Sequence, residues 1–177
     1  MKIYIYLLVV LCFLSPYSYS GNVTGNCISY SKEGRNVTFH LNDSSAVQLQ
    51  LCSPSVVRVW FSPDGKLQRG TPSFAVINEE LEDVGTVQVD EPNACYEMFT
   101  PKLRIRVNKA PFSLQIFDKY QKLLFSDYAD KGHVSEGTRK VEYKTLRRDE
   151  HFFGLGEKTG KLDRRGESYK MWNSDKP

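Results

Sequence analysis

Cysteine and histidine are scarce in this chain, with four and three residues among 177. No cysteine pair has CxxC or zinc-finger spacing, and His40, His133 and His151 are scattered. The pattern argues against a metal or redox centre. No cofactor is expected, and each histidine reads as an ordinary surface or edge residue. An excess of one charge sign is lacking too: 24 Lys and Arg face 21 Asp and Glu. No basic block stands apart from acidic neighbours, and Arg147-Arg148 runs straight into Asp149-Glu150. A nucleic-acid partner is therefore not expected.

Long apolar runs are also missing. The longest, Ile3 to Leu14, falls short of the roughly 18–20 residues that a membrane-spanning helix needs. With Lys2 before it and the small-x-small site Ser18-Tyr19-Ser20 after it, 1–20 reads as a secretory signal peptide. Cys12 does not make it a lipoprotein leader, because the bulky Leu11 stands where a small residue is required. Cleavage near Ser20 would release a secreted or periplasmic chain with no membrane attachment. Removing Lys2 with the leader leaves 23 basic against 21 acidic side chains. Cys27, Cys52 and Cys95 remain, enough for one disulfide and one free thiol without fixing the pair. The mature length supports one domain with a real core. It is too short for a catalytic barrel of about 250 residues.

Internal repeats, heptads, low-complexity linkers and amphipathic membrane helices are absent as well, which disfavours a propeller. What is present from Asn26 to about Leu146 is a period of two, the mark of β-strands. Val37, Phe39 and Leu41 alternate with polar neighbours, and so do Val47, Leu49 and Leu51. Ser55 to Ser62 is more continuously apolar, as in a strand buried on both faces. It ends at the turn Ser62-Pro63-Asp64-Gly65, where glycine accepts positive φ. Ser73 to Asn78, Gly85 to Asp90, Tyr96 to Thr100 and Leu103 to Asn108 continue the pattern. In the last of these Leu103, Ile105 and Val107 face one side and Arg104 and Arg106 the other. Phe112, Leu114 and Ile116 follow, then a break at Asp118 to Gln121, then Leu123 to Phe125. Thr138 to Leu146 supplies a late strand, and only Asn78 to Asp83 hints at a helical turn. Short strands at close spacing, punctuated by Gly, Pro and Asp, predict an all-β antiparallel sandwich. Each large side chain fully buried between its sheets contributes roughly 1.5–3 kcal/mol.

The last stretch differs in character. His151 to Pro177 opens with Phe152-Phe153 and a glycine-punctuated turn, Gly154 to Gly160. A charge cluster follows (Lys161, Asp163, Arg164, Arg165, Glu167), then Tyr169, Met171 and Trp172. Such density predicts a loop held in one shape by its own contacts, the kind that carries function on a rigid scaffold. The glycines fit neither the dinucleotide fingerprint nor the P-loop spacing, so they serve backbone turns. Arg164 and Arg165 are expected to pair with Asp163 and Glu167 or to brace a neighbouring domain. The acidic pairs Glu79-Glu80, Glu82-Asp83 and Asp149-Glu150 read as solvated surface charge.

Three motifs in this stretch carry a resemblance: Phe153-Gly154-Leu155-Gly156-Glu157-Lys158, Leu162-Asp163-Arg164-Arg165-Gly166, and Met171-Trp172-Asn173-Ser174-Asp175-Lys176-Pro177. In this order they resemble the loop preceding the catalytic barrel in glycoside hydrolase family 31, in the form of its α-glucosidases. Upstream, Val57 to Gly65, Lys102 to Val107 and Pro111 to Leu114 are similar to the family's recurrent strands. Tyr120-Gln121 departs from it, standing where the family tends to carry glycine. The resemblance covers Ser29 to Pro177 and implies a galactose-mutarotase-like sandwich over 21–150. It also implies a substrate loop, 151–177, leading to a (β/α)8 barrel that is absent from this chain. It places the nucleophile and acid/base aspartates in that barrel, so no catalytic residue is expected here and the chain alone should not hydrolyse. It gives Asp175 the role of hydrogen-bonding sugar hydroxyls on the aglycone side, with an α-linked oligosaccharide as substrate and the barrel as intramolecular partner. The implied function is that of the N-terminal part of a secreted retaining α-glucosidase. An α-xylosidase of the same family, or a free-standing sandwich that binds glycan or protein, are the alternatives.

Overall fold

The computed structural model describes residues 22–67, 82–136 and 139–171. The expected signal peptide, the strand expected over Ser73 to Asn78 and the Trp172 to Pro177 end, with Asp175, lie outside the described residues. So does most of the helical turn expected over Asn78 to Asp83. The chain divides into two compact units, Met1–Thr145 and Leu146–Pro177. The first is all-β. Its strands among the described residues are β1 (Asn22–Val23), β2 (Cys27–Glu33), β3 (Asn36–Leu41), β4 (Ala46–Ser53), β5 (Val56–Ser62) and β6 (Val89–Asp90). They continue with β7 (Cys95–Phe99), β8 (Leu103–Lys109), β9 (Phe112–Asp118), β10 (Leu123–Ser126), β11 (His133–Glu136) and β12 (Arg139–Glu142).

Two sheets form the sandwich: a four-stranded one in the order β2-β3-β4-β5 and a five-stranded one in the order β10-β9-β8-β7-β6. All pairings are antiparallel between chain neighbours, so the strands are joined as hairpins. A third sheet, β1-β11-β12, joins the first strand to a late hairpin.

Alternation places the core. Val37, Phe39, Leu41, Val47, Leu49 and Leu51 from one sheet meet Tyr96, Met98, Leu103, Ile105, Val107, Phe112 and Leu114 from the other. Phe39 lies at the junction, with its ring centroid 5.5 Å from Tyr96 and 6.4 Å from Phe112 across the sandwich. Polar ties supplement the apolar contact: the Thr100 hydroxyl accepts from the Leu103 amide and donates to the Pro54 carbonyl of the opposite sheet at 2.6 Å. Arg104 and Arg106 point outward and both grip Glu97, at 2.6 and 2.8 Å. Those bonds, Arg104 foremost, hold the Glu97 carboxyl below its usual range.

Several expectations need correction. The run Ser55 to Ser62 is not buried on both faces: among the described residues β5 is an edge of its sheet, with Val56 and Val59 52% and 39% exposed. Only Val57 and Phe61 of this strand pack on the core, and Arg58 stacks over Trp60 at 4.9 Å. Gly85 to Asp90 is strand only at Val89–Asp90, because Val84 and Val87 fill the core from an irregular segment three residues apart. The late strand stops at Glu142; beyond it only the bridge between Asp127 and Lys144 continues the pairing. β11 is a strand without apolar alternation. The turns behave as their residues dictate. Gly65 sits at φ +72°, and Gln121, where the resemblance implies glycine, also adopts a left-handed φ of +67°.

Candidate functional site

The second unit, described here through Met171, contains no strand or helix among its described residues. Without a ladder, its backbone polar groups need other partners. The tripeptide Asp163-Arg164-Arg165 provides them. The Asp163 carboxylate accepts from His151 Nδ1 at 2.6 Å, from the Arg165 amide at 3.0 Å and from the Phe152 amide at 3.3 Å. These three donors, His151 first, hold its carboxyl down at about 2. The Arg164 amide donates to the Phe152 carbonyl at 2.7 Å, pinning the two segments side by side.

The two guanidinium groups complete the frame. Arg164 donates to the carbonyls of Lys158 (2.9 Å) and Thr159 (3.2 Å) and to the Tyr169 hydroxyl (3.1 Å), and it stacks on the Tyr169 ring. Arg165 donates to the carbonyls of Arg147 (2.7 Å) and Glu150. The expected pairing of these arginines with the carboxylates of Asp163 and Glu167 is therefore corrected. Guanidinium groups have five donors in a planar fork, and here they satisfy main-chain carbonyls, while Glu167 faces Lys161 at 3.5 Å. Gly160 has φ +125°, and a Cβ there would lie 3.0 Å from Arg164 Nη1, so glycine is required for the arginine to reach its carbonyls. Leu155 is held at φ +67° between two glycines, a conformation sparsely populated by branched side chains. Phe153, Leu162 and Met171 project into solvent, at 62%, 81% and 60% exposure.

The remaining candidates are placed as follows. Glu82, Asp83 and Asp149 are exposed, in keeping with surface charge. Cys27, Cys52 and Cys95 are free thiols. Among the described residues no cluster of three or more His, Cys, Asp or Glu could hold a metal ion. His40 bonds Ser31 at 3.0 Å. His133 is a correction: it is not a surface or edge residue but is 3% exposed, on the central strand of the third sheet. Its ring stacks on Phe61 at 5.4 Å, with Nε2 3.7 Å from Asp127 and Nδ1 3.4 Å from Glu142. Lys144 bridges both carboxylates, at 2.7 and 3.2 Å. Burial pushes the His133 imidazole below its ordinary value against the opposing pull of Asp127.

The sandwich and this strandless, arginine-framed unit after it are the features by which the chain can be compared with known proteins. The glycosyl hydrolase 31 N-terminal galactose mutarotase-like domain matches residues 46–177. The chain belongs to glycoside hydrolase family 31. Alpha-glucosidase 2 of Bacillus thermoamyloliquefaciens is 32% identical over 153 residues, covering 85% of this chain and 19% of that protein. The family 31 dextranase of Flavobacterium johnsoniae, solved with isomaltotriose, is 58% identical, with a TM-score of 0.81 over 88% of this chain and 19% of its own. An α-xylosidase of the family from Xanthomonas citri shares the fold at TM-score 0.62 and 21% identity, over 77% of this chain and 16% of its own. The chain thus spans about a fifth of the length of these family 31 relatives.

Proposed function

We propose that this chain is the N-terminal portion of a secreted or periplasmic retaining family 31 enzyme that hydrolyses α-glucosidic bonds in oligosaccharides. The sandwich serves as scaffold and the loop after it as a lip at the active-site mouth, facing the family's catalytic barrel within the same polypeptide. Asp175 accepts hydrogen bonds from sugar hydroxyls on the aglycone side, where an ionised carboxylate in a water-poor site binds more strongly than a neutral acceptor. The observation that carries this reading is the 58% identity to the Flavobacterium dextranase over 88% of the chain. The same identity favours isomaltotriose-type oligosaccharides over other α-glucosides. The leader at 1–20 supports export. Retaining hydrolysis needs two carboxyl groups about 5–5.5 Å apart across the scissile bond, and family resemblance assigns both to the barrel.

The test is hydrolysis by the full-length gene product of isomaltotriose, maltotriose and p-nitrophenyl α-xyloside. We expect the highest kcat/KM on isomaltotriose. A preference for the xyloside would move the protein to the α-xylosidases, and failure on all three would leave a non-catalytic glycan- or protein-binding role.

A further inference from the structure

We propose that Phe153, Leu162 and Met171 form an apolar docking surface on which the polypeptide following residue 177 in the full-length product packs, so that the second unit is sealed in place and is not a free flap. The inference rests on the proposed function only in reading this chain as the N-terminal part of a longer polypeptide. The unit is inside-out. Its shape comes from polar bonds, through which the Asp163 carboxylate and the two guanidinium groups tie its backbone together. It has no core: no residue of 146–171 is buried, and the last buried apolar side chain among the described residues is Val134. Leu146, Phe152, Phe153, Leu155, Leu162 and Met171 all face outward. So many large apolar side chains on so short a unit mark a surface that another surface covers.

The frame holds these side chains ready. The bond from the Arg164 amide to the Phe152 carbonyl keeps 152–153 beside 162–164, so Phe153 and Leu162 leave adjacent stretches of backbone. The His151 ring, bonded to Asp163, backs the Phe153 ring at 6.3 Å. Met171 stands two residues beyond Tyr169, whose ring carries the Arg164 guanidinium. A surface already fixed in shape loses little further conformational freedom on association. The occupant follows from the lengths. The match to the family's N-terminal domain runs to residue 177, and the dextranase that is 58% identical to this chain is covered over only 19% of its own length. The polypeptide that completes such a protein is tethered directly to this unit, at an effective concentration on the order of millimolar. It therefore reaches the surface ahead of any separate molecule.

The chain carries its own probes, since Met98 is fully buried in the sandwich core and Met171 is exposed. Limited oxidation by hydrogen peroxide, read at each methionine by mass spectrometry, compares the two in the 177-residue chain and in the full-length product. Hydroxyl radicals extend the reading to Phe153 and Leu162. In the 177-residue chain Met171 should oxidise about tenfold or more faster than Met98, as an open thioether does beside a core one. In the full-length product Met171 should slow about tenfold, to near the rate of Met98, because the centre of an interface packs as densely as a protein interior. Phe153 and Leu162 should slow with it. In the full-length product, Phe153→Ser combined with Leu162→Ser should return Met171 toward its exposed rate while Met98 stays slow. Fast oxidation of Met171 in the unmodified full-length product would overturn the proposal, as would protection that the double variant leaves intact. So would a Met171 already slow in the 177-residue chain, or protection that fades when the full-length product is diluted, which a second copy produces. Hydrolysis is read separately. A full-length product with Met171 protected but no activity on the three substrates would remove the proposed function and keep the docking surface. Turnover of isomaltotriose with Met171 oxidised fast would do the reverse.

Discussion

Gln121 shows what one residue can reveal. It occupies a left-handed turn position at φ +67°, where a side chain costs about 1–2 kcal/mol relative to glycine. The turn compensates locally. The Asp118 carboxylate accepts from the amides of Tyr120 and Lys122 at 2.8 and 2.9 Å, and the Gln121 carboxamide accepts from Arg104. We expect Gln121→Val to destabilise the sandwich by about 1–2 kcal/mol, because a β-branched side chain at positive φ adds strain. Gln121→Gly should stay within about 0.5 kcal/mol of the parent, since relief of strain offsets the lost bond and the more flexible unfolded chain. Urea denaturation midpoints of the three proteins decide it; a Val variant as stable as the parent would refute the strain argument.

At the scale of elements, the β11–β12 hairpin carries the one buried histidine among the described residues. With its folded value below the ordinary one, His133 binds fewer protons in the folded protein than in the unfolded chain. Its contribution is complete above about pH 6.5 and is lost as the pH falls from there through the folded value. The predicted signature is a stability that declines between pH 7 and 5, by at most about 1.4 kcal/mol per pH unit from one group, with His133→Gln flattening the slope. An identical slope in the variant would place the titration elsewhere. Sequence reading anticipated β12 within its late strand but not β11. Period-two patterning reports residues that alternate between core and solvent, and it served well for β3, β4, β8 and β9, whose alternating core residues are apolar. β11 instead buries His133 against Phe61 and the charges of Asp127, Glu142 and Lys144. A polar residue buried by partners distant in sequence leaves no local trace. β5 failed in the opposite sense, since an apolar edge strand reads like a central one until its neighbours are known.

For the whole molecule, the proposed division of labour between scaffold and lip leads to a plain prediction: the 177-residue chain should fold and show no turnover of p-nitrophenyl α-glucoside. Robust hydrolysis by it alone would overturn the proposed function. The LDRRG motif was legible as a loop signature, but its wiring was not, because carbonyl acceptors are invisible in a sequence and opposite charges nearby suggested ion pairs. That wiring bears on how such a protein can change over time. Arg164 and Arg165 seize four main-chain carbonyls, those of Lys158, Thr159, Arg147 and Glu150, and every amino acid supplies a carbonyl. Glu150 and Lys158 also bond the backbone of Arg147 and Lys170 through their side chains, so Thr159 and the solvent-facing Leu162 are the positions where change should disturb the contour of the loop least. Under the proposed function, new sugar preferences can be tried on an inherited mould.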